Sequence, residues 1–477
     1  MLKLISKKAT FPPLGLLTVA AMVPKEWDKK LVDVNVADLT DEQIEWADII
    51  FIGAMIVQQE CSKEIISRCK EKGKKVVAGG PLFTTDHERF SGVDHFVLNE
   101  AEVTLPLFLK DLEEGNLKPI YTSQERPDVA KTPIPLWSLI NFKNYLTMAV
   151  QYSRGCPFDC EFCDIVIMNG RVPRTKSPEQ MLREFQALYD AGWRKPVFIV
   201  DDNFIGNKRH VKQMLPELIK WQKEHKYPFS LFTEASTNLA DDQELMQMMS
   251  AANFYKVFLG IETPSIDGLK ECGKFHNVKR ELTEVVKTIH QNGMQVMGGF
   301  IVGFDSDTES IFEAQIKFIQ QTGVVTAMVG LLTALPQTRL WHRLKAEGRL
   351  LKESSGENTD GTLNFIPKIN RDTLIDGFNR IMATIYSPKE YYKRINTFIK
   401  SYKPTVRNKM SVAEIINLFK SMWEIGVRSK ARFRFWLLLL RTAVTKMKAF
   451  PMAVELAIMG QHFEKTVARS LANANTA

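Results

Sequence analysis

Residues 156–163 read Cys156-Pro-Phe-Asp-Cys160-Glu-Phe-Cys163, which places three thiols in a CxxxCxxC spacing. A loop with this spacing can wrap one cubane iron–sulfur cluster and leave the fourth iron without a protein ligand. Zinc is the alternative, but it would need a fourth ligand nearby, and no other Cys or His lies within about thirty residues on either side. The stretch therefore predicts a 4Fe-4S cluster whose open iron is a substrate site.

The composition is typical of a globular protein from a reducing compartment. The chain has 477 residues, of which 45% are hydrophobic, and six cysteines. Six cysteines are too few for a disulfide scaffold in a chain of this length, so the three clustered ones indicate a metal site. Neither a run of about 18 apolar residues nor a secretory leader is recognisable, which predicts a cytoplasmic protein.

Short strand-like segments alternate with amphipathic helical segments around the cysteines. Six such units predict a parallel (β/α)6 partial barrel, in which the active residues lie on the loops that follow the strands. The three cysteines directly follow the first predicted strand. The strands are expected near Met148–Ser153, Pro196–Val200, Phe229–Thr233, Tyr255–Gly260, Val296–Val302 and Val325–Leu331.

An earlier βα alternation predicts a Rossmann-like, doubly wound α/β domain at the N-terminus. Its strands are expected at Lys30–Val36, Asp48–Gly53, Lys75–Gly80 and His95–Leu98. Ligands of such sheets bind beyond the carboxyl ends of the strands. The residues at these ends are mostly small, namely Gly53-Ala54, Gly79-Gly80-Pro81 and Asn99-Glu100-Ala101-Glu102.

The C-terminal part is predicted to be helical and is strongly basic. From Lys393 to Arg469 there are sixteen Lys and Arg residues against four Glu. Such a surface attracts nucleic acid or an anionic membrane, or is a solubilising face. We find no nucleic-acid-binding signature. The apolar stretch Phe435–Leu440, with Phe433 and Trp436, fits packing on the barrel slightly better than a membrane interface. The predicted segments are domain 1–125, linker 126–147, barrel 148–345 and helical domain 346–477.

The cysteine motif and the polar strand ends of residues 148–345 resemble those of the radical S-adenosylmethionine (SAM) superfamily. The resemblance implies that Cys156, Cys160 and Cys163 hold a 4Fe-4S cluster, and that the reduced cluster cleaves SAM to a 5′-deoxyadenosyl radical. Helix capping and structural ion pairs are the alternatives for the acidic residues. The SAM contacts that the resemblance implies are Phe162, Asp201, Asp202, Glu234, Glu262, Gly299, Val302 and Gly303.

The N-terminal domain followed by such a barrel resembles the cobalamin-binding branch of this superfamily. The usual DxHxxG motif is absent, and Asp86-His87-Glu88 has the wrong spacing, so no histidine of that motif is expected to ligate cobalt. The branch usually has one more N-terminal strand, which we expect this chain to lack. The cobalamin contacts implied by the resemblance are Gly53, Ala54, Gly79, Gly80, Pro81, Glu100 and Glu102.

Together with Phe11–Ala21 and the basic tail, these features resemble the group of hopanoid C-2 methylases and lipid-modifying enzymes. The resemblance implies methylation of an unactivated carbon of a small-molecule or lipid substrate, with flavodoxin or ferredoxin as electron donor and contact with the inner face of the membrane. No catalytic acid or base is expected. The alternatives are radical coupling or cyclisation without methyl transfer, and a cobalamin or iron–sulfur sensor that does not catalyse.

Overall fold

The N-terminal region is a parallel sheet with helices on both of its faces. The computed structural model describes residues 7–354, 356, 362–405, 419–420 and 422–474. The first region contains α1 (Leu14–Met22), α2 (Asp41–Trp46), β1 (Ile49–Gly53), α3 (Gln59–Glu71), β2 (Lys75–Gly79), α4 (Pro81–Asp86), β3 (His95–Val97), α5 (Ala101–Glu114) and β4 (Ile120–Tyr121). The strands pair in chain order, each parallel to its neighbour.

Alternate residues of β2 face opposite sides of this sheet. Val76 and Ala78 belong to a core cluster with residues of α3 and α4, whereas Val77 packs with residues of α1 and α5, including Phe108. The period of two is the strand periodicity on which the fold prediction depended. The predicted α/β class, with a parallel sheet covered on both faces, is therefore confirmed.

The strand predicted at Lys30–Val36 is wrong. The segment is irregular and turns at Asp33, whose carbonyl accepts hydrogen bonds from the amides of Val36 and Ala37. The Asp33 carboxylate also accepts from the amide of Asn35 at 3.0 Å, and a bond of this kind favours a turn over a strand. The alternation of apolar residues predicted a strand, but the hydrogen bond from the Asn35 amide to the Asp33 side chain stabilises a turn instead.

The central region is an open barrel. It contains β5 (Met148–Val150), β6 (Ser153–Arg154), α6 (Ile165–Asn169), β7 (Arg174–Thr175), α7 (Pro178–Asp190), β8 (Val197–Ile199), α8 (Lys208–Glu224), β9 (Leu231–Ala235), α9 (Gln243–Ala251), β10 (Phe254–Glu262), α10 (Ile266–Glu271), α11 (Phe275–Val278), α12 (Leu282–Gln291), β11 (Gln295–Val302), α13 (Ser310–Thr322), β12 (Thr326–Leu331) and α14 (Arg339–Ala346). Six strands form one parallel sheet in the order β5-β8-β9-β10-β11-β12. This confirms the predicted (β/α)6 partial barrel, and the cysteines lie between β6 and β7, which pair with each other.

The C-terminal region is helical, as predicted, and packs on the barrel. Its helices are α15 (Arg371–Ile385), α16 (Pro388–Ser401), α17 (Arg432–Thr445) and α18 (Phe450–Ala474). One core cluster includes barrel residues together with Phe435 and Leu438 of α17. Within α16 the fully buried Arg394 donates hydrogen bonds to the carbonyls of Ile385 and Val325, which joins α15 to the barrel. In the described part of the chain, no helix combines the length and hydrophobicity that spanning a bilayer requires.

Candidate cofactor site at the barrel mouth

The cysteine loop leaves β6 through Gly155, which has a φ of +99°. A Cβ at this position would lie 2.9 Å from the carbonyl oxygen of Gly170, so only glycine fits without strain. The amide of Cys156 donates to the same carbonyl at 3.2 Å, and the amide of Cys163 donates to the carbonyl of Cys160 at 3.1 Å. These backbone bonds therefore help to hold the loop in a compact shape.

The three thiols fit a cluster better than a single ion. Burial raises the pKa of Cys156, Cys160 and Cys163. Among the described residues, no three Cys, His, Asp or Glu side chains converge on a point that could hold one metal ion. A cubane differs, because each thiolate binds a different iron and the sulfur atoms need not converge. Three thiols on one short loop are a donor set that suits a 4Fe-4S cluster.

Two adjacent acids at the end of β8 secure the start of this loop. The buried Asp201 accepts hydrogen bonds from the Tyr152 amide at 2.7 Å and the Ser153 hydroxyl at 2.6 Å, and burial raises its pKa to about 7. Asp202 accepts from the Gly155 amide at 2.8 Å. Both predicted SAM contacts therefore also anchor the cysteine loop, and neither caps a helix.

Glu234, at the end of β9, has no ion-pair partner among the described residues. Burial, together with the nearby charges of Asp202 and Asp201, raises the pKa of Glu234 to about 7. Within the part of the chain that the structure describes, its carboxylate accepts no hydrogen bond. A half-buried, unpaired carboxylate of this kind fits a cationic ligand, and SAM carries both an ammonium and a sulfonium.

Glu262, at the end of β10, is paired with a lysine that lies twelve residues further along the chain. Lys274 forms a buried ion pair with Glu262, and the side chains are 10% and 8% exposed. Gly260 makes room for this pair, because a Cβ there would collide with both charged groups. The adjoining Cys272 carbonyl accepts a hydrogen bond from the Glu161 amide of the cysteine loop. Nothing in the spacing of Lys274 pointed to this contact.

The predicted adenine-side residues gather at the end of β11. The Phe162 ring, from the cysteine loop, lies 6.5 Å from that of Phe304, between centroids. Gly303 has a φ of +108°, and its amide donates to Asp307 at 2.8 Å. Val302 is buried, and a Cβ at Gly299 would lie 3.9 Å from the Glu262 carboxylate. The structure thus brings Phe162, Glu262, Gly299, Val302 and Gly303 to one mouth of the barrel.

The carboxyl edge of the N-terminal sheet has the small residues that a large ligand needs. A Cβ at Gly79 would lie 2.5 Å from the Val97 carbonyl, and Gly80 has a φ of +88° just before Pro81 begins α4. Gly53 and Ala54 end the neighbouring strand. Two solvent-exposed apolar side chains follow in the sequence, Met55 and Val57, which are 61% and 54% exposed. A ligand can approach the backbone closely at these glycines, and the exposed apolar side chains border the same edge. Both features suit a corrinoid.

Two predicted cobalamin contacts, Glu100 and Glu102, follow β3 at the same edge of the sheet but are held by ion pairs. The His87 ring packs against the Phe96 ring, with 5.4 Å between the centroids. Glu100 and Glu102 are paired with arginines of the barrel, and the carboxylates are 6% and 8% exposed. Their charges are thus already satisfied by protein.

Three family models match consecutive parts of the chain. A B12 binding domain matches residues 4–109, the radical SAM superfamily matches residues 150–319, and a domain of unknown function (DUF4070) matches residues 338–476. The first two matches cover the small-residue edge and the cysteine loop respectively. The three matches therefore follow the order of the N-terminal, barrel and helical regions of the fold.

Several known proteins are similar to this chain over most of its length. An uncharacterized methyltransferase of Synechocystis sp. is 45% identical over 91% of this chain and 83% of its own. The hopanoid C-2 methylase of Rhodopseudomonas palustris is 34% identical over 91% of this chain and 84% of its own. The radical SAM methyltransferase TsrM from Kitasatospora setae, solved with tryptophan and a SAM analogue, shares the fold with a TM-score of 0.64 and 15% identity, over 92% of this chain and 100% of its own.

Proposed function

This chain belongs to the cobalamin-dependent radical SAM methyltransferases, and we propose that it methylates an unactivated carbon of a lipid-like substrate. The observation that carries the substrate class is the full-length similarity to a hopanoid methylase. An electron donor of the flavodoxin or ferredoxin type suits this chemistry. The cofactors of the family are a 4Fe-4S cluster, SAM and cobalamin, which supply the electron, the radical precursor and the methyl carrier.

The residues of this chain hold and orient these groups. We propose that Cys156, Cys160 and Cys163 hold the cluster, while Asp201 and Asp202 fix the loop that carries them. Glu234 would face the cationic part of SAM, and Phe162 the adenine. In each case the protein supplies position and exclusion of water, so no side chain needs to act as a general acid or base.

The C-terminal domain supports contact with a lipid phase. Phe433, Leu437, Leu440 and Val444 recur every three or four residues on α17 and are 64–86% exposed; we call them the apolar stripe. The opposite face of α17, including Phe435, is buried against the protein. Exposed basic residues border the apolar stripe, namely Arg432, Arg434, Arg441 and Lys448. An apolar face edged by cations fits the interface of an anionic membrane, and we propose that the protein lies on the inner face of one.

Replacing Leu437 with Glu is expected to weaken binding to vesicles of phosphatidylcholine and phosphatidylglycerol. Burying one leucine contributes about 1.5–3 kcal/mol, so the partition coefficient should fall by about tenfold or more. Sedimentation with the vesicles measures the partition. Leu107→Glu, an exposed leucine of α5, is the matched control and should bind like the wild type. Equal binding of the Leu437→Glu protein would contradict the membrane proposal.

The substrate proposal can be tested with deuterated SAM. The protein is reconstituted anaerobically with iron, sulfide and hydroxocobalamin, reduced, and incubated with a membrane lipid extract and SAM that carries a trideuterated methyl group. We expect lipids that gain a labelled methyl group, detected by mass spectrometry. Lipid products without the label would favour coupling or cyclisation, and labelled products confined to the water-soluble fraction would contradict a lipid-like substrate.

The affinity for SAM is expected to rise with pH because of Glu234. Burial beside Asp202 and Asp201 raises the pKa of Glu234 to about 7, so the carboxyl is protonated at pH 6 and ionised at pH 8. A cationic ligand favours the ionised form, and the affinity should increase by about tenfold over this interval. Calorimetric titration of the reconstituted protein with SAM measures it. Glu234→Gln should lose most of this increase, whereas the exposed Glu217→Gln should keep it; a Glu234→Gln protein that kept the full increase would contradict the assignment.

A further inference from the structure

The B12-binding domain and the barrel are joined by a buried group of four charged residues, which we call the interdomain clamp: Arg154, Arg174, Glu100 and Glu102. Arg154 donates from Nη1 to Glu100 at 2.8 Å and to Glu102 at 3.0 Å, and from Nη2 to Glu102 at 2.7 Å. Arg174 donates to both oxygens of Glu100, at 2.7 and 3.0 Å. The linker adds three bonds: the Thr132 hydroxyl donates to Glu102 at 2.7 Å, Arg126 donates to Glu100 at 3.4 Å, and the Pro127 carbonyl accepts from Arg174 at 2.7 Å.

Each end of the interdomain clamp adjoins one cofactor-binding loop. Glu100 and Glu102 flank the first residue of α5, just beyond the carboxyl end of β3, where the small-residue edge lies. Arg154 ends β6 two residues before Cys156, and Arg174 is its paired residue on β7. A shift of the clamp would therefore move the corrinoid edge relative to the cysteine loop.

The two arginines of the interdomain clamp are compensated by its two glutamates. Arg154 and Arg174 face each other across the β6–β7 ladder, and like charges in that position are destabilising. Their side chains are 13% and 16% exposed. Burial raises the pKa of Glu102, but Arg154 outweighs it and lowers the pKa to about 2, so the glutamate is ionised. Paired guanidinium–carboxylate bonds of this kind fix orientation as well as distance.

We propose that the interdomain clamp is a positioning device that holds the corrinoid edge within reach of SAM bound at the cysteine loop. Two products of SAM report on this geometry without any substrate. Cleavage of SAM by one electron from the reduced cluster, followed by hydrogen-atom uptake, gives methionine and 5′-deoxyadenosine and needs only the barrel. Passage of the methyl cation of SAM to two-electron-reduced cobalamin gives S-adenosylhomocysteine and needs both domains in register.

The variant Glu102→Gln tests the inference, because it keeps the shape of the side chain and lies far in sequence from the cysteines. The full chain is reconstituted with iron, sulfide and hydroxocobalamin and reduced with titanium(III) citrate. We expect the rate of S-adenosylhomocysteine formation to fall by about a hundredfold, the order that a misplacement of about 1 Å can cost. The rate of 5′-deoxyadenosine formation and the bound cobalamin should not change. Glu113→Gln, an exposed glutamate of the same helix, is the matched control.

Hydrogen–deuterium exchange gives a second measurement that does not depend on turnover. The amides of residues 101–104 and 153–155 should exchange faster in the Glu102→Gln protein than in the wild type, because both ends of the interdomain clamp are released. Exchange in α3, on the opposite face of the sheet, should stay the same. If the wild-type protein formed no S-adenosylhomocysteine, the proposed methyl transfer would be contradicted. The positioning role of the interdomain clamp would then be tested by the hydrogen–deuterium exchange alone.

Three outcomes would overturn the inference. Equal losses of both SAM products would show that Glu102 matters only for stability. Loss of bound cobalamin with unchanged exchange at residues 153–155 would make Glu102 a corrinoid contact, as the sequence resemblance implied. Unchanged exchange at both sites, with an unchanged product ratio, would leave the ion pairs without a positioning role. Arg154→Lys, which keeps the charge but loses the planar fork, should reproduce the product ratio of Glu102→Gln.

Discussion

Replacing Cys160 with Ala is expected to reduce SAM cleavage to the level of a protein-free reaction. The change removes one of the three thiolates. Because backbone hydrogen bonds hold the shape of the loop, no other thiol can move into the position of Cys160. The nearby Cys272 is buried, with its thiol directed at the Leu269 carbonyl. Because loss of an outer partner of a metal site already costs about 10–100-fold, loss of a ligand should cost more.

The measurement combines iron content, the electron paramagnetic resonance signal of the reduced cluster, and 5′-deoxyadenosine by mass spectrometry. Cys61→Ala is the matched control, since Cys61 is an exposed thiol on α3, and it should match the wild type in all three. Wild-type amounts of iron and 5′-deoxyadenosine in the Cys160→Ala protein would refute the assignment of the cluster to this loop.

Replacing Lys274 with Met is expected to cause the largest loss of stability among the variants considered. Its partner Glu262 is 8% exposed and would be left as a buried charge without a counter-ion. Removal of one member of a buried ion pair costs about 3–5 kcal/mol. Glu262 also has a φ of +65°, a conformation that the surrounding packing must hold. The end of β10, and with it the SAM site, should therefore loosen.

Denaturant unfolding, followed by circular dichroism, measures the shift of the barrel transition. The double variant Lys274→Met/Glu262→Gln removes both charges and should regain most of the lost stability. Lys270→Met is the matched control on the preceding helix; Lys270 is 56% exposed and should change stability by less than about 0.5 kcal/mol. A double variant no more stable than Lys274→Met would show that the ion pair is not the source of the loss.

Most of the fold was predictable because its signals are local. The six barrel strands and the helices between them are marked by runs of apolar residues with periods of two and 3.6. The failure at Lys30–Val36 has the same origin, since an apolar alternation does not report that Asp33 bonds the backbone two residues on. Three strands of the N-terminal sheet and the helical C-terminal domain followed from the same patterns, whereas β4, which has only two residues, was not predicted.

Part of the candidate site was predictable for a similar reason. The three cysteines lie within eight positions, so their spacing is enough to indicate a shared cluster. The acids at the strand ends, such as Asp202 and Glu234, share one edge because parallel strands end together. Their identification as site residues, in contrast, came from resemblance to a family and not from spacing.

The sequence by itself determined most of the secondary elements, the order of the domains and the cysteine loop, since these depend on residues close together in the chain. Only the tertiary structure decided which charges meet. Glu102 contacts Arg154 across two domains, Lys274 reaches Glu262 across a loop, and the apolar stripe of α17 is known only once the buried face of that helix is known. These contacts are made by packing, and no local periodicity encodes which distant side chain lies opposite another.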